Sequence, residues 1–255
     1  MSAADCGFTQ DAVLGGRLVL CQPQRGHRVG HDAILLAAAT AADAGAHAVD
    51  LGAGVGAAGL ALARRVDGVA VTLVDIDAQL VRLAAENIAR NGLAARARAV
   101  RLDVGAPART FAAAGLGPSC ADCVLMNPPF NTAPRPSPHR DRRTAHAASA
   151  ETLPQWLHAA ARLLKDRGAL TLIWRADGLG ELLGALAGRF GAVAVLPVHP
   201  KPALPAIRVL VRAVKASRAP LAVLPGLTLA DNAGRPTPEA DAVLREQRAL
   251  PLALS

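Results

Sequence analysis

Apolar residues in this chain are grouped in two alternating ways, and the alternation predicts the architecture. Short continuous apolar runs at 47–51 (HAVDL), 69–74 (VAVTLV), 97–102 (ARAVRL) and 121–126 (ADCVLM) have the length and β-branched content of strands buried on both faces. Between the first three lie stretches of helical period: 57–65, and 77–91 with Leu80, Leu83, Ala84 and Ile88 on one face and a stop at Asn91-Gly92. The residues of that second helix are assigned to packing only. Residues 105–119 read as a short, partly helical connection. Strand alternating with helix predicts an α/β fold around a parallel sheet.

The flanks follow the same logic with different punctuation. Arg17-Leu18-Val19-Leu20 reads as a short strand, 22–30 as a turn-rich connection, and 33–42 as an apolar helix with Asp32 placed to cap or charge its start. After 126 come Asn127-Pro128-Pro129-Phe130 and then 131–150, which holds Pro134, Pro136, Pro138 and several arginines with neither period, the pattern of a mobile loop. Helix is expected again over 152–165 and 179–189, with a strand at 169–175. Strands at 193–198 and 207–214 are joined by a connection too short for a helical crossover, so they should pair antiparallel. Thr237 and Pro238 open one further helix candidate, with 241–247 inside it.

Ligands in an open parallel sheet bind at the carboxyl ends of its strands, and each of the first four strands ends in a residue with chemistry to offer. Gly52, Gly54 and Gly56 follow the first, as a strand, glycine turn and helix that let backbone approach a ligand closely. Asp75 ends the second, placed to grip a ribose diol, and Asp103 ends the third. Glycine turn plus strand-end acid is common to dinucleotide and methyl-donor sites and by itself says nucleoside cofactor. The GxGxG spacing, without a pyrophosphate cradle, tilts the choice toward S-adenosylmethionine. Asn127 through Phe130 close the fourth strand as a rigid corner: two prolines end the ladder, Asn127 brings one acceptor and two donors, and Phe130 brings a flat face. Such a corner suits a planar, amino-bearing ring; alone it is equally a proline-rich turn.

Composition sharpens this only in places. A chain of 255 residues with 52% hydrophobic content can bury a full α/β core. No apolar run approaches the roughly 18 residues of a membrane span, and a start containing Asp5 without basic residues does not match a signal peptide, so a cytoplasmic protein is expected. Four cysteines include one CxxC pair, Cys120 and Cys123, with nothing to complete a metal site; ordinary thiols and no metal are expected. The net charge of +8 is a weak signal, because only Lys165, Lys201 and Lys215 are lysines among 28 Lys and Arg, which points to an arginine-rich coding bias. Its distribution says more. From Leu182 to Ala230 there is no Asp or Glu, while Arg189, Lys201, Arg208, Arg212, Lys215 and Arg218 all fall inside, a stretch suited to phosphates or to a solvated edge.

The Asn-Pro-Pro-Phe corner resembles motif IV of the S-adenosylmethionine-dependent methyltransferases of amino and amide nitrogens. The segments QPQRGHRVGHDAILLAA, VDLGAGVG, LMNPPF and AIRVLVRAVKASRAPLAVLPGLTL together resemble the bacterial enzymes that methylate N6 of adenosine in a valine transfer RNA, over about residues 14–244. The resemblance implies a class I methyltransferase fold: a Rossmann-like, seven-stranded mixed sheet with a terminal antiparallel hairpin, an N-terminal extension over 1–45, a methyltransferase domain over 46–216 and a C-terminal arm over 217–255. It implies S-adenosylmethionine held by Gly52, Gly54, Gly56, Asp75 and Asp103, with Asp32 beside its methionine end. Asn127 and the Pro128 carbonyl would orient the target amine, Pro129 would shape the corner and Phe130 would stack on the ring. The implied partner is transfer RNA or another structured RNA, contacted by Arg28, Lys201, Arg208, Lys215 and Arg218. Phe130 departs from the commoner tyrosine, so substrate choice is less constrained than reaction type. Release-factor glutamine methyltransferases and enzymes acting on guanine N2 of ribosomal RNA share the corner and remain alternatives, as does a non-catalytic RNA-binding module.

Overall fold

The computed structural model describes residues 7–24, 29–129 and 142–254; over 142–151 it describes the helical backbone alone. Arg28, Phe130 and the 131–141 part of the expected loop therefore lie outside the described residues. In chain order the elements are β1 (Phe8–Val13), β2 (Leu18–Pro23), α1 (His31–Ala39), β3 (His47–Leu51), α2 (Ala57–Arg65), β4 (Ala70–Asp75), α3 (Ala78–Arg90), β5 (Ala97–Arg101), α4 (Ala108–Ala113) and β6 (Ala121–Met126). There follow α5 (Arg142–Leu163), β7 (Leu164–Arg175), α6 (Leu179–Leu186), β8 (Phe190–His199), β9 (Arg208–Lys215), β10 (Ala222–Val223), β11 (Leu227–Thr228) and α7 (Pro238–Glu246).

The main sheet has the order β5-β4-β3-β6-β7-β9-β8, parallel except for β9, which runs antiparallel to both neighbours. This is the expected α/β plan with its terminal hairpin. Two short strands add to it: β10 and β11 pair parallel with successive parts of β8, interrupted by Leu224-Pro225-Gly226. Two residues per strand leave no period in the sequence, which is why the C-terminal arm did not read as sheet. Its effect is to occupy part of the exposed edge that β8 would otherwise present.

One hydrophobic cluster lies under α1, α2 and α3 and takes in Leu18 and Leu20 of the N-terminal hairpin with Val243, Leu250 and Leu252 of the tail. A second joins the other sheet face to α4, α5 and α6 through Phe111, Leu157, Leu163 and Leu182. Extension, domain and arm thus share a single packed core. The Leu250 N–H donates to the Ala38 carbonyl at 2.8 Å, tying the tail to α1.

Three local readings need correction. β2 pairs antiparallel with β1, a strand the sequence did not suggest because FTQDAV mixes charge and apolar residues at the surface. α1 begins at His31 with Gly30 as its cap, not at 33, so of the two roles expected for Asp32 it takes that of a first-turn charge and not that of the cap. α5 begins at Arg142, inside the expected loop, and runs on through Pro154. Ala- and Arg-rich RRTAHAASA has the propensity for helix without the apolar period that would announce it. The assignment of α3 to packing alone also falls short: Asn87 Oδ1 accepts from the Cys21 N–H at 2.7 Å and its Nδ2 donates to the Cys21 and Val55 carbonyls at 3.0 Å each. Asn91 does the same for Val19, so two amides one helical turn apart splint β2 to the core.

Candidate active site

Strand register brings the glycine turn and the proline corner together. Leu51 of β3 is paired with Met126 of β6, so Gly52 and Asn127 leave neighbouring strands at the same level, about 5 Å apart. Asp75 and Asp103 leave β4 and β5 on the other side of Gly52. All four sequence-derived features therefore stand on one edge, in the order Asp103, Asp75, Gly52, Asn127.

The glycine turn is held by its backbone. Gly52, Gly54 and Gly56 have φ of 69°, 57° and 91°, a region that side chains with a Cβ disfavour. Their surroundings differ. A Cβ on Gly56 would meet Leu73 at 2.7 Å and one on Gly52 would collide with the Trp156 ring, whereas one on Gly54 would enter open space. Gly54 is thus where a ligand can approach bare backbone. The Gly54 N–H donates to Asp75 Oδ2 at 2.8 Å, and Asp75 Oδ1 accepts from the Asp77 N–H at 2.9 Å, so this carboxylate braces the turn while staying only half-buried.

Below the turn sits Asp50, which sequence reading passed over as part of a strand. Its Oδ2 accepts from the Gly59 N–H at 2.8 Å, and burial, opposed by that bond, pushes its carboxyl up to about 7. Three more neighbours were missed. Ile76 is 59% exposed directly after Asp75, an aliphatic face between the two strand-end acids. Trp156 and Gln155, in the C-terminal half of α5, lie against Gly52 and against Gly105 respectively. The exposed apolar residue after a strand-end acid was a usable signal for Ile76; nothing local marked Trp156. Asp103 is exposed, with Oδ1 accepting from the Gly105 N–H at 2.8 Å.

At the corner Pro128 is buried, Pro129 exposed and Asn127 half-buried. Among the described residues none hydrogen-bonds the Asn127 side chain, so its amide is available to a ligand. Cys120 and Cys123 lie at the opposite, amino-terminal end of β6; burial pushes the Cys123 thiol up to about 12, and no metal-binding cluster exists among the described residues.

Residues 27–201, more than two thirds of the chain, match the family model of the methyltransferase small domain. The chain belongs to the methyltransferase small domain family. Among curated relatives, the tRNA1(Val) (adenine(37)-N6)-methyltransferase of Tolumonas auensis is 32% identical over 161 residues, 63% of this chain and 64% of that one. The protein of the same name from Bacteroides fragilis is 30% identical over 146 residues, 57% of this chain and 59% of that one. The chain thus spans less than two thirds of the length of either. A solved structure of a predicted O-methyltransferase from Agrobacterium tumefaciens is 31% identical and superposes with a TM-score of 0.73, covering 86% of this chain and 97% of that one.

In this member of the methyltransferase small domain family the expected RNA-contacting residues do not form one patch. Because β9 is antiparallel, Arg208 at its start stands on the Asn127 edge, as does Lys201 in the β8–β9 turn. Lys215, at the other end of β9, donates to the Leu164 carbonyl at 2.7 Å, and Arg218 lies beyond it. Arg208 and Lys215 are the two ends of an eight-residue strand, over 20 Å apart at about 3.3 Å per residue. Arg208 Nε donates to Asp32 Oδ2 at 2.9 Å, joining two residues that the sequence assigned to different tasks. Arg212, between them, is half-buried, and desolvation holds its guanidinium below the ordinary value.

Proposed function

We propose that the chain transfers a methyl group from S-adenosylmethionine to the exocyclic N6 amino group of an adenosine in transfer RNA. The observation that carries this is the β3–β6 register, which sets the glycine turn and the Asn127 corner side by side on one edge. A donor seated on the first is then adjacent to an amine seated on the second.

The residues present fit that cofactor. Open space before Gly54 suits the small amino-acid end, the half-buried Asp75 carboxylate keeps lone pairs for a ribose diol, and Ile76 with Asp103 offers an apolar face and an acceptor for an amino-purine. When bound, S-adenosylmethionine supplies an electrophilic methyl on a sulfonium. The protein's part is to present the nucleophile. A ring-conjugated amine has its lone pair spread into the ring; the Asn127 side-chain oxygen and the Pro128 carbonyl accept its two hydrogens and draw the nitrogen toward tetrahedral geometry. The ammonium formed is acidic enough to lose its proton to water afterwards, so no side-chain base is required.

The Agrobacterium protein is described as an O-methyltransferase, but a hydroxyl has one hydrogen for two acceptors, and an amine fills both. Lys201 stands on the continuation of the same edge, where Arg208 is paired with Asp32 and Arg175 with Asp177 and Glu181; a lysine with no acid partner among the described residues favours a polyanionic substrate over a protein glutamine. The names of the Tolumonas and Bacteroides relatives support adenosine in transfer RNA as that substrate. Mass spectrometry of nucleosides from transfer RNA of a deletion strain tests this: N6-methyladenosine should disappear and return when purified protein and S-adenosylmethionine are added. An unchanged nucleoside profile, with no methyl transfer in vitro, refutes the reading.

A further inference from the structure

Beyond Arg208 the same edge carries a second concavity. It has a volume of about 550 Å³ and is lined by His199, Ala203, Leu204, Pro205, Gly226 and Thr228, which places it between the β8–β9 turn and the C-terminal arm. That volume lies within the range of small-molecule pockets. β8 is three strands from β6, so the concavity is roughly 14 Å from Asn127 at about 4.8 Å per strand. One adenosine cannot occupy both places.

The walls are built to hold their shape. Pro200, Pro202 and Pro205 stiffen the turn. Ala203 is held at φ 59°, between the Leu204 N–H, which donates to the Lys201 carbonyl, and the Leu204 carbonyl, which accepts from His199 Nδ1 at 2.8 Å. On the arm side, a Cβ at Gly226 would stand 2.7 Å from the His199 ring, so the bare glycine gives the imidazole its place. The Leu229 N–H donates to the His199 carbonyl at 2.8 Å, and Thr237 Oγ1 donates to the Thr228 carbonyl at 2.6 Å. Within this frame Leu204 is 47% exposed and the nearby Ile207 45%, a small apolar surface open to a ligand. Among the described residues the Lys201 ammonium, beside the concavity, donates to the Asn232 carbonyl alone, at 3.4 Å, while Asp231 of the arm is paired with Arg235 at 2.9 Å.

We infer that this concavity receives a second, unmethylated nucleotide of the RNA substrate, an unpaired base lying against Leu204 and His199 with its phosphate near Lys201. The inference rests on the RNA reading above and gives it a second point of contact. A flat ring over aliphatic and imidazole faces beside a lysine is how single-stranded bases are held without sequence-specific readout.

The test uses the full chain with two fluorescein-labelled probes, an unmodified valine transfer-RNA anticodon stem-loop and its duplex stem alone, followed by anisotropy over a range of salt. Leu204→Ser and His199→Ala should each weaken stem-loop binding about tenfold, leave the stem unchanged and leave the salt slope unchanged. Lys201→Ala should lower that slope by about one on the stem-loop. S-adenosylmethionine affinity by calorimetry and the melting temperature verify that each variant is folded. Wild-type affinity in both pocket variants, equal losses on both probes, or no stem-loop binding by the wild-type chain overturns the inference. If binding behaves as expected but no N6-methyladenosine forms, the methylation reading fails and the pocket stands.

Discussion

The carboxyl edge of the sheet has two halves of opposite construction, meeting at Asn127. On β3, β4 and β5 the polar groups are main-chain and carboxylate and already answer one another: Gly54 to Asp75, Asp77 to Asp75, Gly105 to Asp103, with Gly59 to Asp50 beneath. On β7, β9 and β8 they are long cationic or imidazole side chains, partly exposed, contributed by a strand end and a hairpin, with the two arginines paired to Glu181 and Asp32. A ligand whose shape never varies can be met by backbone, which costs no side-chain entropy to order. A polymer that must dock and leave is better met by flexible charges, which add affinity in small, screened increments.

Substitution at the seam should have the largest effect. Asn127→Ala removes one of the two fixed acceptors from the reacting nitrogen, and turnover should fall about 10³-fold, comparable with deletion of an oxyanion-hole donor, with cofactor affinity within twofold of wild type. Equal losses of turnover and cofactor affinity, measured by single-turnover kinetics and calorimetry, would move Asn127 into the cofactor half. Next comes the splint under that half. Asn87→Ala leaves the buried Cys21 N–H and the Cys21 and Val55 carbonyls without their partner, and at about 1–3 kcal/mol for each unpaired group the loss should be near 3 kcal/mol after relaxation. Chemical denaturation would read this directly, and a loss below 1 kcal/mol would mean that water replaces the amide. Asp75→Ala should weaken S-adenosylmethionine about thirtyfold, roughly 2 kcal/mol, with RNA affinity unchanged.

The two halves should also differ in their response to pH. Asp50 binds its proton more tightly folded, at about 7, than unfolded, at 3.8, so between those values the native state carries the extra proton. Stability from this group is therefore greatest at the acid end, falls as pH rises from about 4 to 7, and is level above. Asp50→Asn keeps an acceptor for Gly59 and removes the titration, so the difference in unfolding free energy between wild type and variant should grow across that window by a few kcal/mol at most. A constant difference from pH 4 to 8 would show that Asp50 stays ionised in the folded protein.

This contrast explains what could be read from the sequence. The cofactor half rests on local grammar, a strand followed by glycines or an acid, and each of Gly52, Gly54, Gly56, Asp75 and Asp103 sits where that grammar puts it. What escaped was whatever depends on distant pairing. Trp156 reaches Gly52 across more than a hundred residues, β11 finds β8 through two residues, and Asn87 holds a strand 66 positions away. None of these leaves a period or a motif. The basic stretch failed for a related reason: composition gave its charge, but only the antiparallel direction of β9 decides that Arg208 faces the site and Lys215 does not.

The smallest expected effect decides what Arg208 is for. Its pair with Asp32 is about one third exposed on both sides, so solvent screening limits it to roughly 0.5 kcal/mol, and Asp32→Asn should shift the melting temperature by only about 2 °C. The informative readout is elsewhere. If Arg208 exchanges Asp32 for a phosphate when RNA docks, neutralising Asp32 removes the competitor: affinity should rise two- to threefold and the salt slope should steepen by up to about one, while S-adenosylmethionine binding holds steady. Arg208→Met should do the reverse. Should both variants match wild type in affinity and slope, the pair is only a tie between α1 and β9, and the substrate half reaches its polyanion through the β8–β9 turn alone.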